Sequence, residues 1–126
     1  MPTLTQPPSP GDLLKYELNP NHCREAVTLL AGTDYALGAV LGQITASGKF
    51  KLATDTGADG AETAAAVLLG AVDATAADAT GVVLRRGPAI VAKTALIFDA
   101  SVSDAAKVAT KHTQLIAAGI VPRDVA

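Results

Sequence analysis

The sequence has few of the residues that build large cores. Tryptophan is absent and aromatic residues make up only 3% of the 126 positions, although 49% are hydrophobic. The apolar content is therefore mostly alanine, valine and leucine, which bury less area per side chain than a ring does. Because such a core gives less stability per residue, we expect additional apolar burial to come from contacts between subunits.

Cysteine, basic charge and long apolar runs are also scarce. The single cysteine, Cys23, excludes an intramolecular disulfide and fits a reducing compartment. A net charge of −2 leaves no basic excess to neutralise phosphates, so we expect no direct binding of nucleic acid. No apolar run reaches the ~20 residues of a membrane helix, and no signal peptide is visible. We therefore expect a soluble protein, made in the cytoplasm, that does not bind membranes.

The first 12 residues differ in composition from the rest of the chain. They hold four prolines together with Leu4. Because proline lacks an N–H donor and fixes φ, this stretch is excluded from the interior of a sheet. We predict a disordered Pro-rich arm over residues 1–12, followed by a single β-rich domain over residues 13–126. Two interpretations stay open for the arm: a frayed terminus, or a segment that becomes ordered on a partner by adding a strand to a sheet edge.

Short apolar segments separated by glycine and polar turns dominate the middle of the chain. They predict strands at residues 24–30, 81–87, 89–92 and 96–98, and a β-hairpin around Ser47-Gly48. Residues 73–80 are polar and predict a linking segment. For the alanine-rich residues 62–69 a helix remains an alternative to a strand.

The clearest helix lies near the C-terminus. Ser103 predicts its N-cap and Asp104 a favourable charge in the first turn. Gly119 predicts its end, so the helix should span about residues 104–118. One face of this segment carries residues that recur at steps of three and four, apolar except for the histidine: Ala105, Val108, His112, Leu115 and Ile116. Many short strands and one C-terminal helix together predict an α+β fold, a small β-rich domain of short strands and hairpins.

One tetrapeptide resembles a catalytic motif. Asp55-Thr56-Gly57-Ala58 matches the active-site tetrapeptide of retroviral-type aspartic proteases, in which a homodimer pairs two aspartates that share a proton. Those enzymes place large apolar residues directly before the aspartate, whereas this chain has Ala53-Thr54. A polar turn uses the same residue types. A homodimeric aspartic protease that uses Asp55 is therefore kept as the alternative to a non-enzymatic protein.

No grouping of residues predicts a metal or a cofactor. The adjacent His22-Cys23 pair and the distant His112 do not supply the three or four ligands that zinc needs. Counted from Asp55, the polar loop lacks two of the oxygen ligands of an EF-hand. We predict no metal and no cofactor, and a packing role for His112 at the core edge or at a subunit contact.

The second half of the chain presents apolar segments and small-residue turns in a defined order. These are Asp59-Gly60-Ala61, residues 67–74, Val82-Val83-Leu84, Arg86-Gly87 and residues 103–116. In this order they resemble the lambda-type head decoration proteins of tailed phages, and the similarity covers roughly residues 24–121. The chain departs from that pattern in lacking tryptophan and in its many alanines, so no aromatic contact is carried over.

The resemblance implies a non-enzymatic structural protein of the virion. Proteins of that family form homotrimers on the outer surface of the expanded phage head and stabilise it against the pressure of packaged DNA. Their N-terminal segments are flexible when free and become ordered against the major capsid protein. The resemblance therefore implies a capsid-binding arm formed by Thr3, Leu4, Thr5, Gln6, Pro7 and Pro8.

Overall fold

The computed structural model describes residues 13–55 and 57–123. Over these residues the chain forms ten strands and one long helix. The strands are β1 (Leu14–Glu17), β2 (Arg24–Leu29), β3 (Thr33–Tyr35), β4 (Val40–Gln43), β5 (Phe50–Leu52), β6 (Ala66–Leu68), β7 (Val72–Ala74), β8 (Ala79–Leu84), β9 (Ala89–Ala92) and β10 (Ile120–Arg123). The helix α1 spans Ala105–Ala117, and single helical turns lie at Pro20–Cys23 and Lys93–Ala95.

Five strands close into a small barrel in the order β2-β5-β4-β6-β8. β2 and β8 pair antiparallel along their whole length, from Arg24 opposite Leu84 to Leu29 opposite Ala79. β4 is antiparallel to both β5 and β6. The seam between β2 and β5 is different, because these strands run parallel and pair only at Leu29 and Phe50. One side of the barrel is therefore closed by a single residue pair.

A separate three-stranded sheet collects segments from distant parts of the chain. β9 lies in the middle, antiparallel to β1 and parallel to β10. Leu14 of β1 and Pro122 of β10 both lie opposite Val91. The described chain consequently enters and leaves at the same end of β9. The remaining strands, β3 and β7, form a two-stranded ladder.

The turn at Gly87-Pro88 joins the pieces of this sheet. The Pro88 carbonyl accepts a hydrogen bond from the Leu18 N–H at 3.1 Å, and the Gly87 N–H donates to the Ala118 carbonyl at 3.1 Å. A Cβ added at Gly87 would overlap the backbone of Gly119, at the end of α1. Only glycine allows this approach, so the turn holds the end of β1 and the end of the helix together.

The core consists of two clusters that share barrel strands. The barrel interior contains Leu29, Leu41, Phe50, Leu68 and Val83. The second cluster lies between the barrel, the three-stranded sheet and α1, and contains Val40, Leu84, Val91, Leu115 and Ile120. Because successive side chains of a strand point to opposite faces, β4 supplies Val40 to one cluster and Leu41 to the other. The same barrel strands therefore contribute side chains both to the barrel interior and to the cluster beneath the three-stranded sheet.

The α+β class, β-rich with one C-terminal helix, is confirmed, while the predicted arm over residues 1–12 lies outside the described residues. The predicted strands at residues 24–30 and 89–92 are confirmed, and the strand predicted at 81–87 begins earlier, at Ala79. The alternative helix at 62–69 is wrong, since Ala66–Leu68 is a buried strand. The strand predicted at 96–98 is also wrong, because this segment makes only one parallel bridge, between Ala39 and Ile97.

Other predictions were correct in part. β4 and β5 form the predicted hairpin, but their strands stop at Gln43 and resume at Phe50, so residues 44–49 connect them in place of a two-residue turn. The polar link predicted at 73–80 contains β7 and the start of β8. β1, β3 and β10 were not predicted as strands. All these strands are short, and their pairing with distant segments decides their structure more than local propensity does.

The helix α1 has the predicted extent but not the predicted faces. Its N-cap is Asp104, whose side chain accepts a hydrogen bond from the Lys107 N–H at 2.9 Å, and not Ser103. Leu115 is buried as predicted, whereas Ile116 is 52% exposed. Lys111 is buried in its place, at 1% exposure. The polar contacts of the helix explain this exchange.

Candidate functional surfaces

Asp55, the candidate catalytic aspartate, lies in the loop between β5 and β6. Its Oδ2 lies 3.6 Å from the Nζ of Lys107 on α1, and its backbone N–H donates to the Oγ of Ser101 at 2.9 Å. Thr56, the next residue of the motif, lies outside the described residues. The carboxylate is thus paired with a lysine of the same chain. This arrangement fixes the loop to the helix and gives no support to a pair of carboxylates that share a proton.

Two further side chains of α1 hold the same loop. The Nζ of buried Lys111 donates to the carbonyl oxygen of Glu62, and the Oε1 of Gln114 accepts from the Ala64 N–H at 2.7 Å. Burial lowers the pKa of Lys111, and nearby carboxylates oppose this shift. Lys107, Lys111 and Gln114 follow one another at helical spacing, so they lie on one side of α1. The helix therefore turns its polar side toward the barrel loop.

The side chains of Cys23 and His112 pack against neighbouring groups of the protein. Cys23 is buried, with its Sγ 3.9 Å from the Pro88 carbonyl oxygen, and the His112 ring packs against Phe98 with centroids 5.9 Å apart. The side chain of His22 lies outside the described part of the chain. Among the described residues no group of three His, Cys, Asp or Glu side chains could hold a metal. No helix within the described residues is long and apolar enough to cross a bilayer.

The outer side of the three-stranded sheet carries several adjoining apolar side chains. The strand register places Tyr16, Ile90 and Val121 side by side across the three strands, while Val91 and Ile120 point into the core. Tyr16 is 48% exposed, and Leu18, two residues further on, is 60% exposed. We call Tyr16, Leu18, Ile90 and Val121 the sheet face. Exposed apolar side chains that adjoin one another are typical of an interaction surface.

A second uncharged surface lies on the exposed side of α1. Its exposed residues are Ala105, Ala106, Ala109, Thr110, Thr113, Ile116 and Ala117. A helix that borders solvent usually carries charged residues on its outer face, but here the lysines of α1 approach the β5–β6 loop. Val82 on β8 is likewise exposed, at 47%, opposite the exposed Ala26 of β2.

A cleft of about 380 Å³ opens at the seam between β2 and β5. We call it the seam cleft; it is lined by residues 25–28 of β2, the β4–β5 connection, Phe50, Arg85 and Arg86. The Arg85 guanidinium lies over the Phe50 ring, 5.6 Å from its centroid, and Nη1 donates to the Ala65 carbonyl at 3.3 Å. Because β2 and β5 separate beyond a single pair, this opening is built into the barrel.

Two arginines share one glutamate at the rim of the seam cleft. Arg85 Nε and Arg86 Nη2 lie 3.8 and 3.6 Å from the same oxygen, Oε2 of Glu25. Neighbouring side chains of an extended chain usually point to opposite faces, but both guanidinium groups approach this carboxylate. The sequence contains no signal for the cleft, since it results from the pairing of β2 with β5, which are not neighbours along the chain.

The predicted capsid-binding residues fall outside the described part of the chain. These are Thr3, Leu4, Thr5, Gln6, Pro7 and Pro8. The segment that contains them leads into β1, which borders the sheet on one side. The sheet face begins two residues into that strand, at Tyr16. Sequence reasoning did not identify this face, because the partners of Tyr16 come from β9 and β10.

The chain matches the family described as bacteriophage lambda head decoration protein D over residues 3–120. No match is found among curated proteins. The family match begins at residue 3 and so includes the proline-rich segment, which the resemblance over residues 24–121 left out. Members of this family are structural proteins of the phage capsid and not enzymes, which argues against the protease alternative at Asp55. The chain belongs to the family of bacteriophage lambda head decoration protein D and is a structural protein of the phage head surface.

Proposed function

We propose that the protein forms a homotrimer, binds the major capsid protein on the outside of the expanded phage head, and stabilises the shell against the pressure of packaged DNA. The observation that carries this proposal is the family match over residues 3–120. The composition supports it, because a core with 3% aromatic residues gains from burial between subunits. This role requires binding to the shell and no chemical reaction.

The arm is the proposed primary contact with the shell. Its residues Thr3, Leu4, Thr5 and Gln6 precede the Pro7-Pro8 pair and lead toward β1. An extended segment of this kind binds by adding backbone hydrogen bonds at the edge of a sheet and by burying an occasional side chain, here Leu4. Three linked copies raise the effective affinity well above that of one arm.

The sheet face supports the same orientation of the protein on the shell. Tyr16 and Leu18 are about half exposed and follow the arm directly along the chain. A surface that adjoins the arm approaches the shell whenever the arm is bound. We therefore assign the sheet face to the side of the protein that lies against the capsid.

The subunit contacts are proposed to use the other uncharged surfaces. A three-fold assembly buries two different patches of each subunit, because its contacts run head to tail. The exposed side of α1 is uncharged, and the exposed Val82 lies on a different element, β8. Their burial would supply the apolar area that the small side chains of the core do not.

The arm is tested by deleting residues 2–12 and measuring co-sedimentation with expanded and unexpanded heads. We expect the full chain to sediment with expanded heads, and the deleted chain to remain a folded trimer that stays in the supernatant. A variant of full length, with Thr3–Pro8 replaced by glycine and serine, controls for chain length. Normal decoration of heads by the deleted chain would contradict the arm assignment.

The oligomeric state is tested by native mass measurement of the free protein. We expect a trimer of the 12.6 kDa chain. A dimer would contradict the proposed assembly.

A further inference from the structure

The seam between β2 and β5 has fewer residue pairs than the other joints of the barrel. β2 shares six pairs with β8 but only one with β5, Leu29 opposite Phe50. Next to this pair, the Leu30 N–H donates to the Phe50 carbonyl at 2.8 Å. Toward Ala26 the two strands separate and leave the edge of β2 open at the seam cleft. Backbone hydrogen bonds therefore hold β2 firmly to β8 and only weakly to β5.

One carboxylate joins the two sides of this seam. Asp78 lies in the exposed connection between β7 and β8, outside both seam strands. Its Oδ1 accepts a hydrogen bond from the Ala31 N–H at 2.8 Å, and its Oδ2 lies 2.5 Å from the Nζ of Lys49. Ala31 comes two residues after the end of β2, and Lys49 directly precedes β5. The Asp78 side chain thus bridges two strand ends that share a single backbone pair.

The strength of this bridge is limited by solvent. The hydrogen bonds from Lys49 and from the Ala31 N–H lower the pKa of Asp78, so the carboxylate is charged at neutral pH. The side chains of Asp78 and Lys49 are each about one-third exposed, so water and salt screen the ion pair. A contact of this kind favours the closed seam and leaves the open seam accessible to the folded protein.

An open seam would leave both flanking ladders intact. β2 keeps its pairs with β8, and β5 keeps its pairs with β4. The buried side chains of Leu29 and Phe50 lie in the barrel interior directly behind the seam. Separation of β2 from β5 therefore extends the seam cleft into the barrel interior and exposes these two side chains.

We infer that the barrel opens and closes at this seam while the protein stays folded, and that Asp78 is the latch that holds β2 to β5. The inference goes beyond the proposed function and does not rest on it. Local opening occurs where few backbone pairs and partly exposed contacts join two elements, and both conditions hold at this seam. Loss of either contact of Asp78 therefore favours the open barrel.

Three backbone amides distinguish an open seam from general unfolding. The Leu30 N–H bonds directly across the seam. The Ile44 N–H donates to the Lys49 carbonyl at 2.8 Å, so Lys49 turns its backbone toward β4 and the next residue, Phe50, turns its N–H toward the seam. Val27 lies three residues before Leu30, so its N–H points to the opposite edge of β2, toward β8. Leu30 and Phe50 report the two sides of the seam, and Val27 reports the ladder that stays closed.

Hydrogen exchange of the wild type tests the opening without any substitution. We expect the Leu30 and Phe50 amides to exchange at least about tenfold faster than the Val27 amide, after correction for their intrinsic rates. The protection of the two seam amides should agree within about threefold, because one opening exposes both. Equal protection of all three amides would overturn the inference, since the seam would then open only when the whole protein unfolds.

The latch is tested by Asp78→Ala, with Asp73→Ala as the matched control. The carboxylate of Asp73 is also exposed, but it accepts hydrogen bonds from the N–H and Oγ1 of Thr75, at 3.0 and 2.7 Å, within its own turn. We expect Asp78→Ala to speed the exchange of both seam amides about tenfold. The Val27 amide of this variant, and the seam amides of Asp73→Ala, should stay within about twofold of the wild type.

Two outcomes for Asp78→Ala would overturn the latch. Faster exchange at Leu30 with an unchanged Phe50 amide would mean that only the chain after β2 frays. Equal acceleration at Leu30, Phe50 and Val27 would mean that the substitution lowers the stability of the whole protein and opens no seam.

The ion pair of the latch is tested separately by Lys49→Met, with Lys49→Arg as the control. Methionine keeps the length of the side chain and removes its charge, whereas arginine keeps the charge. We expect exchange of the two seam amides to rise about threefold in Lys49→Met and to stay within about twofold of the wild type in Lys49→Arg. Unchanged seam exchange in Lys49→Met would overturn the role of the ion pair. This measurement and the one on the wild type decide the inference if Asp78→Ala fails to fold.

Discussion

The barrel and the three-stranded sheet are assembled from different kinds of contact along the chain. The barrel strands all come from residues 24–84, and β4 pairs with β5, its neighbour along the chain. The sheet joins β1, β9 and β10, which are drawn from the two ends and the later middle of the described chain. Distant segments lose more chain entropy when they pair. The sheet therefore depends on the core cluster that it shares with the barrel.

The largest expected effect comes from emptying either core cluster. Leu68→Ala in the barrel interior and Leu115→Ala in the second cluster each remove a fully buried side chain. We expect each to lower the free energy of unfolding by about 2–5 kcal/mol, through lost burial and the remaining cavity. Urea unfolding at fixed protein concentration, followed by circular dichroism, measures both.

The number of unfolding transitions then tests whether the barrel and the three-stranded sheet unfold together. Because Val40 and Leu84 of the barrel belong to the same cluster as Leu115, we expect both variants to unfold in one transition. An earlier, separate transition in Leu115→Ala alone would mean that the sheet and helix unfold independently of the barrel. Leu18→Ala is the matched control, since this leucine is 60% exposed and its loss should cost under about 1 kcal/mol.

A smaller effect is expected where the barrel meets the β5–β6 loop. A Cβ added at Gly42 of β4 would lie 2.7 Å from the Ala61 Cα, a backbone contact that side-chain motion does not relieve. We expect Gly42→Ala to lower the free energy of unfolding by about 1–3 kcal/mol, as overpacking does. Gly70→Ala, with nothing within 4 Å of its added Cβ, should stay within about 0.5 kcal/mol. Equal midpoints for the two variants would show that the loop moves freely.

The smallest expected effect concerns the contact through which α1 holds that loop. Burial lowers the pKa of Lys111 below its ordinary 10.5. Between the lowered value and 10.5 the unfolded chain binds more protons than the folded chain, so the stability due to Lys111 rises with pH across this window. Lys111→Met exchanges a buried charge and one hydrogen bond for apolar packing. Its free energy of unfolding should lie within about 1 kcal/mol of the wild type at pH 7.

The measurement is the difference in unfolding free energy between the wild type and Lys111→Met as a function of pH. We expect the wild type to gain on the variant as the pH rises toward 10.5. Lys107→Met, which removes a lysine from a partly exposed ion pair on the same helix, controls for the general effect of alkali. A difference that is constant with pH would contradict the assigned burial of the Lys111 charge.

The sequence predicted those helices and strands whose own residues carry the capping or apolar pattern. The capping residues and Gly119 gave the extent of α1, and the apolar run at 89–92 gave β9. β1 was missed because LKYE is only four residues long, and it becomes a strand by pairing with β9, which is distant in sequence. The burial of Lys111 was missed for a similar reason, since its partner carbonyl at Glu62 lies in a loop distant in sequence.

The functional surfaces likewise differ in whether the local sequence could predict them. The proline content of residues 1–12 drew attention to the arm, because proline acts on the backbone locally. The sheet face and the seam cleft had no comparable signal. Tyr16 gains Ile90 and Val121 as neighbours only through the strand register, and the edge at Ala26 is open only because β2 and β5 pair once.

The first and last described strands, β1 and β10, both lie beside β9, so the described part of the chain is nearly a ring. Leu14 and Arg123 lie at the same end of the sheet, two strand spacings apart, which is about 10 Å. A linker of a few residues could join them, and a new opening at the exposed loop of residues 75–78 would leave every strand pair in place. The same strand pairs could therefore form in a circularly permuted chain, in which the segments follow one another in a different order.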